Sequence, residues 1–281
     1  MTVDVLSLPR GGFAMLALDQ RESMRDLLAT SSDADLREFK RRAAQTLAPH
    51  VSAILLDRLY GVDGRPPWID SVPLILAADH FEQAPGQPVA ASTLDRQVTP
   101  ALVADVGASA LKFLQLWSRD DDAQQRRDLA ASFVALAAEC GVPAVLEGIV
   151  RPGADGWRDR SDRDAAIIEA AAELTQVGPD LYKAEVPGDA ADPASVTALA
   201  RQVTDASRSP WVILSNGVEP DLFPDAVEAS ARGGASGFLA GRAVWTAAAR
   251  SADPAEALRT DAVARVCAMT ERLNAGRAAG N

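Results

Sequence analysis

The stretch Asp180-Leu181-Tyr182-Lys183-Ala184-Glu185-Val186-Pro187 (DLYKAEVP) reads as an apolar strand with a lysine inside it. The chain has only three lysines, Lys40, Lys112 and Lys183, among 28 Lys and Arg residues. A composition this biased would put arginine wherever a positive charge was enough. A lysine in an apolar strand therefore points to chemistry that only an amine can do. An amine can shed its proton and attack a carbonyl, which a guanidinium cannot.

Working outward from this run, seven more short apolar runs recur along the chain. They are 12–18 (GFAMLAL), 52–57 (SAILLD), 72–78 (VPLILAA), 110–117 (ALKFLQLW), 143–150 (PAVLEGIV), 210–217 (PWVILSNG) and 234–241 (GASGFLAG). Most are continuous rather than alternating, as strands of a buried parallel sheet are. Helical periodicity fills most gaps. Leu36, Phe39, Ala43 and Leu47 share one face, as do Leu129, Phe133, Leu136 and Cys140. Ile167, Ala171 and Leu174 form a third stripe, with Ser161 and Asp164 predicting its start as a capping box. A last helical stretch runs over about 243–272 with a break near Pro254, and the Gly/Pro-rich segment 58–70 reads as a loop. Eight strands alternating with helices predict an α/β fold, a single (β/α)8 TIM barrel occupying residues 1–281 as one domain. A doubly wound open sheet would call for a glycine-rich dinucleotide turn after the first strand, where this chain has Asp19-Gln20-Arg21.

Net charge is −11, which disfavours nucleic acid or an anionic membrane as partner. No basic segment followed by a long apolar run opens the chain, and no apolar stretch approaches the roughly 18–20 residues that span a bilayer. Cys140 and Cys267 lack any paired spacing, which fits a reducing cytoplasm, and Cys140 reads as core. His50 and His80 have no ligand-like spacing, so no metal and no cofactor is expected. His50 reads as structural, and His80 as a residue of the site's mouth.

In a barrel, function sits at the C-terminal ends of the strands. The polar residues there are Asp19, Gln20 and Arg21, Asp57, Asp79 and His80, Lys112, Glu147, Lys183 and Glu185, Ser215-Asn216-Gly217, and Gly241-Arg242. A lysine nucleophile at neutral pH needs a lowered amine pKa, because an unperturbed amine near 10.4 leaves well under ~1% as the free base. Burial and a neighbouring cation such as Lys112 both act in that direction. The plainer reading of Lys183 is a buried ion pair with Glu147 or Glu185. Glu147 lies in an apolar strand and so needs a partner, Lys112 or Lys183, or a proton; either state suits a general acid/base. Ser215, Gly217, Gly241 and Arg242 follow the last two strands, where barrels build phosphate sites from backbone amides and a helix N-terminus. Two ordinary glycine turns would look the same. Arg21 could hold a second anionic group or pair with Glu22 or Asp19.

Several segments resemble a known family: GGFAMLALDQRESMR at 11–25, ALKFLQLW at 110–117 followed by DDAQQR, LEGIVRP at 146–152, DLYKAEVP at 180–187, PWVILSNGV at 210–218 and GASGFLAGRAVW at 234–245. Together they are similar to the class I aldolases that include tagatose 1,6-bisphosphate aldolase and sulfofructose-phosphate aldolase, over essentially the whole chain. The DQRESMR, LQLWSRDDDAQQR and AGRAVW segments look most like the sulfofructose-phosphate branch. The resemblance implies that Lys183 forms a Schiff base with the substrate ketone. It implies that Glu147, helped by Lys112 and Asp19, moves protons, and that Ser215, Gly217, Gly241 and Arg242 hold a phosphate. Gln20 and Arg21 are implied to face the substrate. Two positions depart from the branch: Asp79-His80, where a second carboxylate is expected, and Gly148 after Glu147, where proline is expected.

The expected activity is cleavage of 6-deoxy-6-sulfofructose 1-phosphate to dihydroxyacetone phosphate and sulfolactaldehyde, the aldol step of sulfoglycolysis. One alternative is the same chemistry on tagatose 1,6-bisphosphate. Another, of a different class, is a non-catalytic sensor of sugar phosphates, against which the joint presence of Lys183 and Glu147 argues. A phosphorylated sugar is the expected partner, and a homo-oligomer the expected assembly, with the C-terminal helix around Trp245 either an interface or packed on its own barrel.

Overall fold

A computed structural model describes residues 2–30, 32–84 and 87–280. Eight parallel strands close into a ring. In chain order they are β1 (Phe13–Leu18), β2 (Ala53–Asp57), β3 (Leu74–Ala77), β4 (Ala108–Trp117), β5 (Ala144–Val150), β6 (Leu181–Glu185), β7 (Trp211–Leu214) and β8 (Gly237–Ala240). Each pairs with its sequence neighbours, and β8 returns to β1 with Phe13 opposite Gly237. The expected (β/α)8 barrel is the fold, and all eight apolar runs supply its strands.

Strand alternation splits the apolar side chains into two cores. Phe13, Met15, Ala17, Leu55, Ile75, Val145, Leu181, Val212 and Leu239 fill the barrel interior, and Leu6 of the N-terminal 3₁₀ turn joins them as a plug. The intervening residues, such as Leu16, Ile54, Leu146 and Ile213, pack outward against the helices. Inward positions continued toward the C-terminal ends become polar: Asp19, Asp57, Asp79, Lys112, Glu147 and Lys183 all share this parity with the interior core, as does Gly241. One apolar plug below and one set of charges above thus come from the same faces of the same strands.

Gly148 has the opposite parity and faces outward. A Cβ there would overlap the hydroxyl of Tyr182 on the adjacent strand, so this departure from the expected proline is set by packing behind the strand.

Several local expectations need correction. After β3 the chain forms a hairpin, Asp79–Glu82 paired antiparallel with Ala91–Leu94, where no strand pair was read. His80 lies exposed on its outer side and does not line the mouth; Phe81 does. In helix Ala123–Glu139 the buried face is Arg126, Ala130, Phe133 and Ala137, with Leu129, Leu136 and Cys140 half-buried beside it. Small alanines let that helix approach the sheet closely, which displaces the larger leucines to the flanks. Asp159, not Ser161, caps helix Arg160–Leu174 by accepting from Asp162 N. The C-terminal stretch does break before Pro254 but runs past the expected end: Arg242–Ala249, then Pro254–Ala257, a π turn at Leu258–Ala262, and a helix Val263–Gly280. Trp245 is fully buried against Phe39 and donates to the Ala17 carbonyl at 3.0 Å, so it belongs to the barrel's own core. No helix among the described residues is long and apolar enough to cross a membrane.

Candidate active site

A cavity of about 550 Å³ opens at the C-terminal ends of the strands. Asp19, Gln20, Arg21, Lys112, Glu147, Lys183, Ser215, Gly241 and Arg242 line it, nine of the ten residues expected of the site. Gly217 lies beyond its walls, in a left-handed turn with φ +74° that glycine adopts without strain. Lys40, the third lysine, is buried away from the cavity, so two amines face it.

Register pairs Glu147 directly with Lys183 across β5 and β6. Glu147 Oε1 lies 3.0 Å from Lys183 Nζ, and Oε2 lies 2.7 Å from Lys112 Nζ. Oε2 makes no aligned hydrogen bond, whereas the Lys112 ammonium donates to Asp19 Oδ2 at 2.8 Å and Asp79 Oδ2 at 3.0 Å. Glu147 therefore holds a buried oxygen with ionic contact and a free lone pair, suited to taking and returning a proton. It is shared between both lysines, which joins the two pairings left open by the sequence and excludes Glu185 as the partner of Lys183.

The two amines differ in their surroundings. Burial disfavours charge on Lys112, but Asp19, Asp79 and Glu147 outweigh it and lift its pKa well above the usual amine value. Burial likewise opposes ionisation of Asp19, yet Lys112 and Lys183 hold that carboxyl well below the usual range. Asp79 goes the other way, raised by burial that Lys112 and Arg21 only partly offset. Lys112 is a locked ammonium with three carboxylates; Lys183 has one carboxylate neighbour within 4.0 Å among the described residues. Of the two amines in the cavity, Lys183 is thus the less tightly held by carboxylates.

Arg21 pairs with neither Glu22 nor Asp19. It donates to the Asp79 carbonyl at 2.7 Å and to Asp79 Oδ1 at 3.1 Å, lies 4.0 Å from Asp57, and stacks 4.5 Å from the Phe81 ring centre. Of the Asp79-His80 pair, only the Asp79 carboxylate reaches the cluster, and His80 is exposed. Glu185 is spent on structure: it accepts from Val150 N at 2.9 Å, Arg163 at 3.1 Å and Asn216 at 3.2 Å. Asn216 in turn receives a hydrogen bond from Arg242, the first residue of helix Arg242–Ala249. A Cβ at Gly241 would come within 2.8 Å of both the Ala17 carbonyl and the Gln20 amide, so only glycine leaves this wall open.

Phe81, Asn216 and Arg151 also line the cavity, and Asp79 reaches the cluster through Lys112 and Arg21; none of the four is among the ten residues expected of the site. Asp79 and Arg151 had a signal: both continue the inward alternation of their strands, Arg151 following Glu147 and Ile149. Arg151 donates to the Ala90 carbonyl of the hairpin at 3.2 Å. Among the described residues no group of three His, Cys, Asp or Glu is arranged to hold a metal ion.

A closed parallel barrel with a lysine–glutamate–lysine cluster at its mouth is the framework of a carbon–carbon lyase that works through an amine. Comparison with known proteins agrees. Residues 13–247 match the DeoC/LacD family aldolase model, and the chain belongs to that family, making it a class I aldolase. It is 26% identical over 267 residues to tagatose 1,6-diphosphate aldolase of Listeria monocytogenes serotype 4b, covering 85% of this chain and 79% of that one. Tagatose 1,6-diphosphate aldolase 2 of Enterococcus faecalis is 25% identical, covering 86% and 82%. Among solved structures, an archaeal fructose 1,6-bisphosphate aldolase superposes with TM-score 0.68 at 20% identity over 96% of each chain. Fructose-bisphosphate aldolase from Plasmodium falciparum gives 0.72 at 12% identity, covering 97% and 93%. These two likenesses speak to the fold.

Proposed function

We propose that Lys183 captures the C2 ketone of a ketose 1-phosphate as a Schiff base and that Glu147 moves the protons. The observation that carries this is the contrast between a Lys112 locked by three carboxylates and a Lys183 sharing one. The Lys183 amine adds to C2, and Glu147 delivers the proton with which the carbinolamine hydroxyl leaves as water. The resulting iminium draws the electron pair of the C3–C4 bond as the C4 hydroxyl gives up its proton to a carboxylate of the site, Glu147 or Asp19. An aldehyde departs, the enamine is protonated at C3, and water returns the ketone and the amine. Lys112 supplies a fixed positive charge beside these steps. Arg242, Ser215 and the backbone amides at the start of helix Arg242–Ala249 bind the phosphate.

The substrate we infer is 6-deoxy-6-sulfofructose 1-phosphate, giving dihydroxyacetone phosphate and sulfolactaldehyde. Three of the five cations in the lining, Lys112, Lys183 and Arg21, have carboxylate neighbours; Arg151 and Arg242 have none within 4.0 Å among the described residues. Two guanidiniums outside any ion pair suit a substrate with two anionic groups. Beyond the catalytic cluster the lining is otherwise neutral or acidic, with Ser23, Gln83, Gln87 and Asp26. One guanidinium among such groups suits a singly charged sulfonate better than a phosphate approaching two charges. Tagatose 1,6-bisphosphate is the second reading, favoured by the names of the relatives at 25–26% identity.

Borohydride treatment with dihydroxyacetone phosphate should leave a reduced adduct on Lys183, located by mass spectrometry. Absence of an adduct from folded protein would remove the Schiff-base reading. Cleavage rates on the sulfonated and bisphosphate ketoses separate the two substrates, and faster turnover of the bisphosphate would overturn the first.

A further inference from the structure

All three lysines of the chain are buried, and one unbroken series of ionic contacts connects them. From the nucleophile it runs Lys183–Glu147–Lys112–Asp79–Arg21–Asp57–Lys40. Asp19 joins at Lys112. Four cations and four carboxylates make it up, so the buried cluster is neutral. The reaction uses one end; Lys40 and Asp57, each with no exposed side chain surface, have no part in it.

Lys40 comes from helix Asp33–Leu47 and pairs with Asp57 Oδ2. Asp57 Oδ1 accepts from Tyr60 N at 2.8 Å and lies 4.0 Å from Arg21 Nε, a buried donor with no hydrogen-bond partner of its own. Arg21 thus stands between two carboxylates, bonded to Asp79 at 3.1 Å and within a short rotation of Asp57. Which one it holds depends on how well Asp57 is already neutralised. We propose that Lys40 is a positioning residue: by neutralising Asp57 it leaves Arg21 on Asp79, and so keeps Asp79 ionised on the Lys112 ammonium beside the reacting lysine. This role rests on the Schiff-base reading above.

The surrounding charges fit. Asp79 is faced by Lys112, Arg21 and Asp19; Lys40 by Asp57, Asp19, Arg21 and, 5.9 Å away, the ring of Tyr60. Burial already pushes Asp79 toward its protonated form, with Lys112 and Arg21 resisting. Loss of the Arg21 contact therefore makes Asp79 easier to protonate.

The test is the pH profile of kcat for Lys40→Met, Lys40→Met/Asp57→Asn and the unmodified enzyme, with borohydride trapping by dihydroxyacetone phosphate on each. Methionine leaves Asp57 unpaired and free to draw Arg21 away. The acid limb should move up by about one pH unit, lowering kcat about tenfold below it, with KM changed less. The double variant removes the charge that captures Arg21 and should bring the limb back. Should Lys40→Met be recovered unfolded, Lys40→Gln carries the same expectation, because its amide donates to Asp57 without a charge. An unmoved limb in the folded single variant, or a double variant no better than the single, overturns the role. Wild type that traps nothing on Lys183 strikes at the Schiff-base reading; wild type that traps, with an unmoved limb in the variant, strikes at Lys40 alone.

Discussion

Replacing Lys112 with methionine should destabilise the protein at neutral pH and much less in mild acid. The ammonium sits 2.7, 2.8 and 3.0 Å from Glu147, Asp19 and Asp79. Breaking a buried pair by removing one partner costs about 3–5 kcal/mol. Glu147 would keep Lys183 and Asp79 would keep Arg21, so Asp19 is the carboxylate left without an ion pair. In the native protein its folded pKa is depressed. It contributes stability that is present above the unfolded value, about 3.9, and is lost as pH falls toward the folded one. Without Lys112 burial dominates and the sign reverses: the folded pKa rises above the unfolded value, and the folded state binds the extra proton. One such carboxyl yields about 1.4 kcal/mol per pH unit, so acidification from pH 7 to 5 should recover about 3 kcal/mol. At about 2–4 °C per kcal/mol, Tm should lie about 10 °C below the native value at pH 7 and only a few degrees below it at pH 5. Thermal unfolding of both proteins across this range decides it. A Tm difference that is constant with pH would refute the claim that Lys112 is what keeps these carboxylates ionised.

Three further outcomes bear on the site. Lys183→Arg keeps a cation beside Glu147 but cannot form an imine; it should fold, trap no dihydroxyacetone phosphate under borohydride, and lose at least about 10⁴-fold in turnover. Arg242→Ala should weaken the concentration dependence of trapping about 10–100-fold while Lys183 still reacts at saturation, since a charge-assisted bond to phosphate is lost and the amine is untouched. Arg151→Ala should cut kcat/KM about 10–100-fold for ketose phosphates carrying a second anionic group and leave fructose 1-phosphate nearly unchanged, which paired initial-rate measurements would read.

The barrel was legible because burial on both faces makes each strand a continuous apolar run, and eight such runs with helices between them admit few closures. The inward set was legible too once parity is followed: Lys183, Glu147 and Lys112 interrupt apolar strands, and a charge in such a place needs a reason. Pairings were not legible. Arg21 bonds to a residue 58 positions away, and nothing in the local run DQRESMR distinguishes Asp79 from the nearer Asp19 and Glu22. Lys40 was hidden for another reason. It falls within the apolar stripe, four residues after Leu36 and three before Ala43, but nothing in the sequence names Asp57 as its counter-ion. The hairpin at 79–94 escaped because its polar, exposed strands carry no periodic apolar signal, although it brings Phe81, Gln83, Gln87 and the Arg151 contact to the cavity.

A buried network of this size is a poor way to gain stability. Desolvating eight charges costs several kcal/mol per ion, and well-packed apolar groups of similar volume often do as well or better. What the network does offer is fixed charge. Lys112 cannot readily give up its proton, Asp19 cannot readily gain one, and Glu147 lies between Lys112 and Lys183, the amine that changes state in the proposed reaction. Water would reorganise around each charge as it moved; side chains held by strands and by one another do so far less. The cost then explains the arrangement's reach. Each ion needs a counter-ion, and each counter-ion needs another, until the series ends at Lys40 and Asp57, where the neutral Tyr60 N–H donates to Asp57 Oδ1. On this argument the outer pair is the boundary condition of the inner site, and its charge, rather than its volume, is the property that substitution should reveal.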